Sequence, residues 1–435
     1  MAERFYVETL GCPKNQVDSD KLAGSLRAAG LEPAASLEAA DLVVVNTCAF
    51  IEAARAESFE AIFEAARARR AGARLVVTGC LAARAGAALA EALPEVDAVV
   101  DVGVPVHLDG ARWRPRGGRF VPVDFLDLPR GPAPSPWAYV KVAEGCNRRC
   151  GFCAIPQFRG PQRSRRPEAI LEEVDALGAA EVVLVAQDLA SYGRDLGRQD
   201  ALIDLVEEVA RRVWRVRLLY LHPSSLTEQL IDTIIATGAP YFDLSLQHVA
   251  PRLLRRMRRF GSAEAFLARV EEIRSRVPEA ALRSSFILGY PGETEADHDE
   301  LLGFLRAAEL DWAGFFTFSE EEGTYAASLA DKVPADLALE RLRECAECQD
   351  EITARRRRAL VGATTDVLVD TAGVGRSHRE APEIDGVIHV PAEGEPGTVR
   401  RVRIEAAVGP DLEGSFVGAV APGPGGRELP ASALP

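Results

Sequence analysis

The chain has 435 residues, 47% of them hydrophobic, and a formal net charge of −14. This length predicts two or three domains, and the hydrophobic content excludes a disordered chain. No run of about 18 apolar residues predicts a membrane span, and Met1 to Thr9 lack the apolar stretch of a secretory signal, so we expect a cytoplasmic protein. The acidic charge favours a basic protein partner over nucleic acid, although a local basic patch would still suffice for RNA.

The first part of the sequence alternates strand and helix patterns. Four short apolar runs predict strands, at Phe5 to Thr9, Leu42 to Val45, Leu75 to Thr78 and Ala98 to Val100. Three helical patterns lie between them, at Asp18 to Ala29, Ala49 to Arg70 and Ala82 to Ala92. Such alternation is typical of a parallel sheet with helices on both faces. Residues 1–105 are therefore predicted to form a doubly wound α/β domain.

Residues 106–136 are rich in Pro, Gly and Arg and are predicted to form a linker. Residues 137–360 contain a second series with six predicted strands: Ala138 to Val142, Glu181 to Ala186, Val216 to Leu221, Phe242 to Leu246, Ser284 to Leu288 and Ala313 to Phe318. Helical segments separate these strands, and a charged helix, Leu337 to Leu360, follows them. Six such units predict a complete or partial (β/α) barrel.

Beyond residue 360 the pattern changes to short strands split by Gly and Pro. These strands are predicted at Thr365 to Asp370, Gly386 to Val390, Thr398 to Ala406 and Ser415 to Val420. Residues 361–421 are therefore predicted to form a small all-β barrel. Residues 422–435 are rich in Pro and Gly and are predicted to be a flexible tail.

The sharpest motif is the segment Cys146-Asn147-Arg148-Arg149-Cys150-Gly151-Phe152-Cys153. A 4Fe-4S cube needs thiolates close together, and three local cysteines would leave one iron without a protein ligand. The alternatives are a zinc site or three buried thiols, but structural zinc takes four ligands and no fourth Cys or His is near. The motif resembles the radical S-adenosylmethionine (SAM) superfamily. That resemblance implies that SAM binds the open iron and is cleaved to a 5′-deoxyadenosyl radical.

The same resemblance suggests SAM-contacting residues near the C-terminal ends of the barrel strands. These are Gln187 after the second strand, Gln247 after the fourth, Arg283 in the fifth, and Gly289 and Gly292 in the turn that follows it. Each has a structural alternative, because polar strand ends are often caps, Gly-Pro turns are common, and Arg283 could form an ion pair instead. The sequence assigns no catalytic side chain.

Three further cysteines each follow a predicted strand of the N-terminal domain. Cys12, Cys48 and Cys80 are far apart in sequence, but the carboxyl ends of parallel strands share one edge, where ligands bind. We therefore predict that they hold a second 4Fe-4S cluster, again with one open iron. The alternative is three ordinary buried thiols.

The N-terminal motifs Gly11-Cys12-Pro13-Lys14-Asn15, Asn46-Thr47-Cys48 and Gly79-Cys80 resemble the methylthiotransferases. The order of a cluster domain, a radical SAM domain and a small TRAM-like barrel is also similar to that family, over nearly the whole chain. The family implies that the carbon radical of the substrate takes up sulfur carried by the second cluster, and that a second SAM supplies the methyl group. It also implies a reducing partner such as flavodoxin or ferredoxin, and a sulfur donor.

Three features favour the branch of the family that modifies an aspartate β-carbon in a small-subunit ribosomal protein. Two are motifs that resemble this branch, residues 11–15 and the pair Gly375 to Ser377 and Ala381 to Gly386. The third is charge, since residues 360–435 contain six Arg, no Lys and eleven acidic residues, a formal charge of −5. Such a domain suits a basic protein better than RNA. The alternatives are a tRNA adenosine methylthiotransferase and a ribosome- or RNA-binding module with structural metal.

Two other groups of residues have less specific patterns. Cys345 and Cys348 lie on the charged helix without a second pair, so we interpret them as structural. The basic residues after the cysteine loop, Arg159 and Arg163 to Arg166, either balance the charge of a cluster and cofactor or contact the substrate.

Overall fold

The computed structural model describes residues 3–102 and 125–420, which form three domains. Most of the predicted linker, residues 106–124, and the whole predicted tail, residues 422–435, lie outside the described residues. Within the described ranges, no helix is both long enough and apolar enough to cross a membrane.

The N-terminal domain contains five strands and three helices: β1 (Arg4–Thr9), α1 (Pro13–Ala28), β2 (Glu32–Pro33), β3 (Leu42–Thr47), α2 (Glu52–Ala68), β4 (Arg74–Gly79), α3 (Cys80–Ala92) and β5 (Ala98–Val99). The strands pair in parallel in the order β2-β1-β3-β4-β5. The edge strand β2 has no counterpart among the predicted strands. This order reverses direction between β1 and β3, so a topological switch point lies there.

Strand β3 is buried on both faces of the sheet. Leu42 and Val44 pack with Leu22 of α1 on one face, whereas Val43 and Val45 pack with Ile62 of α2 on the other. A strand that is covered on both sides needs a continuous apolar run rather than an alternating one. The structure therefore confirms the predicted doubly wound domain.

Two helices begin closer to their strands than the sequence predicts. Helix α1 begins at Pro13 rather than Asp18, and α3 begins at Cys80 rather than Ala82. Proline suits the first helical position, because its fixed φ is already helical and its missing N–H would have no helical partner. As a result Cys12 and Cys80 lie directly at strand–helix junctions.

The central domain contains the six predicted strands, two short additional strands and eight helices. Their bounds are β6 (Trp137–Lys141), β7 (Ala143–Glu144), α4 (Ile155–Arg159), β8 (Arg163–Ser164), α5 (Pro167–Leu177), β9 (Glu181–Val185), α6 (Ala201–Ala210), β10 (Arg215–Leu218), α7 (Glu228–Ala236), β11 (Tyr241–Gln247), α8 (Pro251–Arg256), α9 (Ala263–Arg276), β12 (Ala281–Leu288), α10 (Glu295–Ala308), β13 (Trp312–Thr317) and α11 (Ala335–Arg358).

Six of these strands form an open, partial barrel. Strands β6, β9 and β10 make one parallel sheet, and β11, β12 and β13 make a second. A parallel bridge between Leu221 and Leu244 joins the two sheets. In the described part of the chain β6 and β13 do not pair, so the barrel is partial rather than complete. Strands β7 and β8 form a separate antiparallel pair beside the barrel.

A segment from the C-terminal domain, residues 377–385, fills the end of the barrel where the strands begin. The Tyr139 hydroxyl donates a hydrogen bond to the carbonyl oxygen of Pro382 (3.0 Å), and the Trp312 indole donates one to Arg379 (2.7 Å). This end of the barrel is therefore closed, and only the opposite end, where the strands finish, is available for a site.

The closed end also contains a buried ionic network. Glu181 at the start of β9 pairs with Arg215 (3.2 Å), Arg217 (2.8 Å) and Arg376 (3.2 Å), the last from the C-terminal domain. Burial alone would raise the pKa of Glu181, but the guanidinium groups of Arg376, Arg217 and Arg215 lower it to about 2. This network joins the C-terminal domain to the barrel.

The C-terminal domain is a closed five-stranded barrel. Its strands are β14 (Thr364–Thr371), β15 (Val374–Arg376), β16 (Ile388–His389), β17 (Val399–Val408) and β18 (Asp411–Val420), in the order β14-β15-β16-β18-β17. The short strand β15 has no predicted counterpart. A core that includes Val367, Ile388, Val402 and Leu412 fills the interior. The predicted all-β barrel is confirmed.

Candidate functional site

Cys146, Cys150 and Cys153, the central triad, lie on the loop between β7 and α4. The amide of Arg148 donates to Cys146 Sγ (3.4 Å), and the amide of Cys153 donates to the carbonyl oxygen of Cys150 (3.2 Å), so the loop folds tightly. Burial, together with the nearby Cys150 and Cys146, raises the pKa of the Cys153 thiol to about 12. The loop therefore holds the three cysteines within one compact turn of eight residues, 146–153.

The loop after α8 supports the central triad from the side. The guanidinium of Arg259 lies 3.6 Å from Cys150 Sγ, and the amide of Gly151 donates to the carbonyl oxygen of Met257 (2.8 Å). Arg259 is itself buried. A buried cation therefore lies beside one thiol of the central triad.

Cys12, Cys48 and Cys80, the N-terminal triad, lie at the ends of β1, β3 and β4. Asn15 of α1 connects these ends, because its side chain donates to the carbonyl oxygens of Leu10 (2.9 Å) and Thr47 (3.0 Å) and accepts from Cys80 Sγ (3.7 Å). Cys12 and Cys48 therefore lie at the switch point between β1 and β3, and Cys80 lies at the end of the neighbouring strand β4.

Glycines permit the close approach of these strand ends. Gly11 has φ +90°, and a Cβ atom at this residue would lie 2.8 Å from Cys48 Sγ. Gly79 has φ +94°, and its Cβ would lie 2.4 Å from the carbonyl oxygen of Thr47. Both positions therefore exclude any larger residue for two reasons, backbone conformation and lack of space.

The three thiols of the N-terminal triad have different environments. Burial raises the pKa of Cys48 to about 11, with Cys80 and Cys12 adding to the effect. Burial also raises the pKa of Cys80, against the opposing charge of Arg159. For Cys12, burial acts to raise the pKa, but Lys14, the Asn15 amide and Arg159 together lower it below its ordinary value.

Each triad supplies three thiols, the donor type that holds a 4Fe-4S cluster. In the two described ranges, no three or more His, Cys, Asp and Glu side chains are gathered closely enough to bind one ion. A cube takes its thiolates on different irons, so it needs a wider triangle of sulfur atoms than one ion does. Three thiols without a fourth protein ligand would leave one iron open in each triad.

Arg159, at the end of α4, connects the two domains at the N-terminal triad. Its guanidinium donates to Cys80 Sγ (3.0 Å) and Asn15 Oδ1 (2.9 Å), and pairs with Asp18 (3.0 Å) and Glu144 (3.1 Å). All of these contacts except that with Glu144 reach from the central domain to the N-terminal domain. Arg159 therefore places a cation against a cysteine of the N-terminal triad.

Further buried pairs reinforce this contact. Lys141 at the end of β6 pairs with Asp18 of α1 (2.8 Å) and with Glu144. Burial would raise the pKa of Glu144, but Lys141 and Arg159 lower it to about 2. The N-terminal domain is thus held on the open end of the barrel by charges that are largely buried.

A second connection runs through the segment after β10. The Lys14 ammonium lies 3.7 Å from the centre of the Tyr220 ring, and five residues further on Ser225 Oγ accepts from Arg148 (2.8 Å). Lys14 is two residues from Cys12, and Arg148 lies between Cys146 and Cys150. One short segment therefore contacts both a residue beside Cys12 and a residue between Cys146 and Cys150.

The rim of this interface contains a third connection. Glu321, beyond β13, pairs with Arg55 (2.5 Å) and with Arg84 of the N-terminal domain. Ser319 Oγ also accepts from the amide of Glu52 (3.0 Å). These contacts join the N-terminal domain to the segment after β13, in addition to the contacts of Arg159.

Two of the predicted SAM contacts, Gln187 and Arg283, have defined side-chain partners in the structure. Gln187 donates to Glu144 (2.7 Å), while Gln247 ends β11 with φ +73°. Arg283 pairs with Asp243 (3.2 Å) and Asp385 (3.4 Å) inside the barrel, which is the ion pair that the sequence leaves as its alternative. Their contact with SAM stays a prediction.

Gly289 and Gly292 lie in a turn that Glu293 anchors. The Glu293 carboxylate accepts from the amides of Gly289 (2.6 Å) and Tyr290 (3.2 Å). Gly292 has φ +84°, and a Cβ there would lie 2.6 Å from the Arg256 guanidinium. The geometry of this turn therefore gives each glycine a structural role. The contact of both glycines with SAM also stays a prediction.

Cys345 and Cys348 lie on α11 and belong to a different region. Cys345 is fully buried in the main hydrophobic core of the central domain, and Cys348 packs against that core. This position agrees with the structural interpretation of the pair.

The sequence indicated the six cysteines and offered Arg159 as a charge-balancing or substrate-contacting residue, but it did not indicate the contacts between the two domains. Arg159, Lys14 and Asn15 all occur beside the cysteine motifs, and that proximity is the only signal that could have identified them. Tyr220 had no signal, because its role depends on a contact with another domain.

Comparisons with known proteins cover all three domains. Residues 4–101 match a family described as "Uncharacterized protein family UPF0004", residues 140–305 match the Radical SAM superfamily, and residues 361–417 match the TRAM domain.

Curated relatives resemble the chain over nearly its full length. "Ribosomal protein uS12 methylthiotransferase RimO" of Desulforudis audaxviator is 44% identical over 434 residues, covering 94% of this chain and 96% of that protein. The protein of the same name from Moorella thermoacetica is 42% identical over 408 residues, covering 90% and 94%. The one from Streptomyces coelicolor is 42% identical over 440 residues, covering 87% and 89%.

A solved structure shows the same fold at low sequence identity. The radical SAM methyltransferase TsrM from Kitasatospora setae, determined with cobalamin and a [4Fe-4S] cluster bound, matches with a TM-score of 0.50. The two chains are 16% identical, and the match covers 75% of this chain and 77% of TsrM.

Proposed function

The chain belongs to the radical SAM methylthiotransferases of the RimO family, and from this membership we propose that it modifies ribosomal protein uS12 by adding a methylthio group to the β-carbon of an aspartate. The observation that carries the proposal is the pair of three-cysteine sites at the interface of two domains: Arg159 of the central domain donates to Cys80, and the segment from Tyr220 to Ser225 contacts Lys14 beside Cys12 and Arg148 between Cys146 and Cys150. Sulfur insertion needs both sites to reach the same substrate atom.

We assign one 4Fe-4S cluster to Cys12, Cys48 and Cys80 and a second to Cys146, Cys150 and Cys153. When bound, the clusters and SAM supply the radical chemistry, the sulfur and the methyl group that side chains do not provide. The protein contributes binding and orientation. Its buried ion pairs around Arg159 hold the two sites in fixed relation and exclude water from the edge of the interface.

The proposed partner is a basic ribosomal protein. The C-terminal domain presents exposed acidic side chains, among them Glu393, Glu395 and Glu405, although the side chains of Glu380 and Asp385 are buried at the barrel end and take no part in such a surface. Opposite charges favour association with a basic partner. A reducing protein such as flavodoxin or ferredoxin, a sulfur donor and a cytoplasmic location complete the proposal.

Mass spectrometry of ribosomal proteins tests this function. We expect uS12 from cells that contain the gene to carry one methylthio group on one aspartate, and uS12 from cells without it to lack that group. Unmodified uS12 in both strains, together with tRNA nucleosides that change with the gene, would instead indicate a tRNA adenosine methylthiotransferase.

Metal analysis tests the cofactor assignment separately. After anaerobic reconstitution we expect about eight irons and about eight sulfides per chain, as two cubes require. Zinc without sulfide would favour a binding module with structural metal and contradict the enzymatic proposal.

A further inference from the structure

Lys14 differs from every other lysine of the chain in its partners. The sequence contains four lysines, and within the described residues the other three each pair with a carboxylate: Lys21 with Glu173 (2.7 Å), Lys141 with Asp18 (2.8 Å) and Lys332 with Glu320 (2.8 Å). The Lys14 ammonium has no carboxylate within ion-pairing distance in the same ranges, and its contact is the face of the Tyr220 ring. Its charge is therefore available to a ligand.

The position of Lys14 is unfavourable for the helix that carries it. It is the second residue of α1, whose first turn contains no acidic residue. The start of a helix has a partial positive charge, so a cation there is repelled. A second cation, Arg159, also lies nearby, but Asp18 and Glu144 neutralise it. Helix stability therefore does not explain an ammonium at this site.

Tyr220 holds the lysine from the barrel side of the interface. Its backbone has φ +63°, a conformation that side chains rarely adopt, and its amide donates to Asp243 Oδ2 (2.9 Å). Strained residues of this kind concentrate where a function requires a particular side-chain position. The aromatic face contacts the ammonium while leaving its other N–H donors free, since a ring face provides no hydrogen-bonding oxygen.

We propose that Lys14 binds the carboxylate of the target aspartate at the interface between the two cysteine triads. This inference rests on the proposed function and adds the residue that recognises the substrate side chain. The reacting β-carbon is bonded directly to the carboxylate carbon, so an ion pair at Lys14 would fix that carbon near Cys12. An adenine base has no carboxylate, so the same residue would favour a protein substrate over tRNA.

A different role for Lys14 is to offset the charge of Cys12 and its cluster. The two roles predict different dependence on the substrate. A residue that binds the carboxylate matters only when the carboxylate is present, whereas a residue that offsets cluster charge matters for any substrate. A double-mutant cycle between enzyme and substrate separates them.

The experiment uses the reconstituted full-length enzyme with intact uS12 and with uS12 in which the modified aspartate is replaced by asparagine. Enzyme variants are Lys14→Met, which removes the charge and keeps the length, and Lys14→Arg, which keeps the charge. Lys14→Gln is measured in parallel as a second neutral variant. The dissociation constant of each pair is measured by fluorescence anisotropy, and the spectrum of both clusters is recorded by electron paramagnetic resonance.

We expect Lys14→Met and Lys14→Gln to weaken binding of native uS12 by about 10- to 100-fold, the usual range for losing a charge-assisted hydrogen bond. Binding of the asparagine variant should change by less than about 2-fold, and Lys14→Arg should retain most of the affinity. Cluster spectra should match those of the unsubstituted enzyme.

Equal losses on the aspartate and asparagine substrates would overturn the inference, as would unchanged affinity for both. Neither result would affect the proposed function if the unsubstituted enzyme still modifies uS12. Conversely, an unsubstituted enzyme that leaves uS12 unmodified would refute the proposed function itself, whatever the variants bind.

Discussion

The two cysteine triads present the same donor set but are built in different ways. The central triad lies within residues 146–153, on one loop that its own backbone hydrogen bonds close. The N-terminal triad takes one cysteine from each of three strand ends, so its geometry depends on the register of β1, β3 and β4 and on the contacts of Asn15. The geometry of the central triad therefore depends on the fold of one loop, whereas the geometry of the N-terminal triad depends on the fold of a whole domain.

The triads also differ in how the neighbouring domain supports them. Arg259, which approaches Cys150, belongs to the same domain as the central triad. Arg159, which donates to Cys80, comes from the domain that carries the other triad. The N-terminal site is thus complete only when the two domains are docked, which connects its integrity to the interface that the substrate must enter.

Replacing one cysteine in each triad should have the largest effect of the changes considered, and it should distinguish the roles of the two sites. We expect Cys80→Ala and Cys150→Ala each to lose about four of about eight irons, because each triad has no spare thiol. Both variants should lose methylthio transfer entirely, but only Cys150→Ala should also lose the cleavage of SAM. Iron analysis and quantification of 5′-deoxyadenosine measure these outcomes.

Cys348→Ala is the matched control, since Cys348 lies on α11 against the core of the central domain. Its iron content should equal that of the unsubstituted protein. Loss of iron from this variant would mean that the assignment of the six cluster cysteines is wrong.

Arg159→Met tests whether the N-terminal triad depends on a residue of the neighbouring domain. It removes a buried cation that pairs with Asp18 and Glu144, and breaking such buried pairs typically costs about 3–5 kcal/mol of unfolding free energy. The remaining Lys141 pairs with both carboxylates, so we expect a value near the lower limit. Denaturant unfolding monitored by circular dichroism measures the change.

Electron paramagnetic resonance distinguishes which of the two clusters Arg159→Met affects. The signal of the cluster at the N-terminal triad should shift, because Cys80 loses a hydrogen bond, while the signal at the central triad should not. Arg259→Met is the matched variant, with the opposite expectation. Identical shifts in both variants would contradict the one-to-one pairing of arginine and triad.

Gly79→Ala tests how strictly the assembled triad depends on strand packing. The residue has φ +94° and a Cβ would lie 2.4 Å from the Thr47 carbonyl oxygen, so both strain and a backbone clash arise. We expect a loss of about 3 kcal/mol in unfolding free energy, with partial loss of iron from the N-terminal triad alone.

Gly178→Ala provides the comparison, because Gly178, directly after α5 and away from both triads in sequence, has φ +62° but open space around its Cβ position. Strain alone should cost about 1 kcal/mol there, with no loss of iron. Equal destabilisation of the two variants would show that the packing of strand ends does not limit the N-terminal site.

Much of the fold follows from the sequence. Buried strands such as β3 are continuous apolar runs, and Gly and Pro mark where the C-terminal strands stop, so element types and domain order are predictable. The first residues of helices are less predictable. The sequence places the start of α1 five residues too late, because Cys12 and Pro13 give no apolar periodicity from which a helix would be recognised.

The sequence by itself determined which thiols could form sites, because cysteine spacing and position after strands are local properties of the chain. Only the tertiary structure decided what surrounds them. Arg159 and Cys80 are 79 positions apart, and Lys14 and Tyr220 belong to different domains. Such contacts depend on how two folded domains dock, which is set by surface shape and charge over the whole interface rather than by any short pattern of residues.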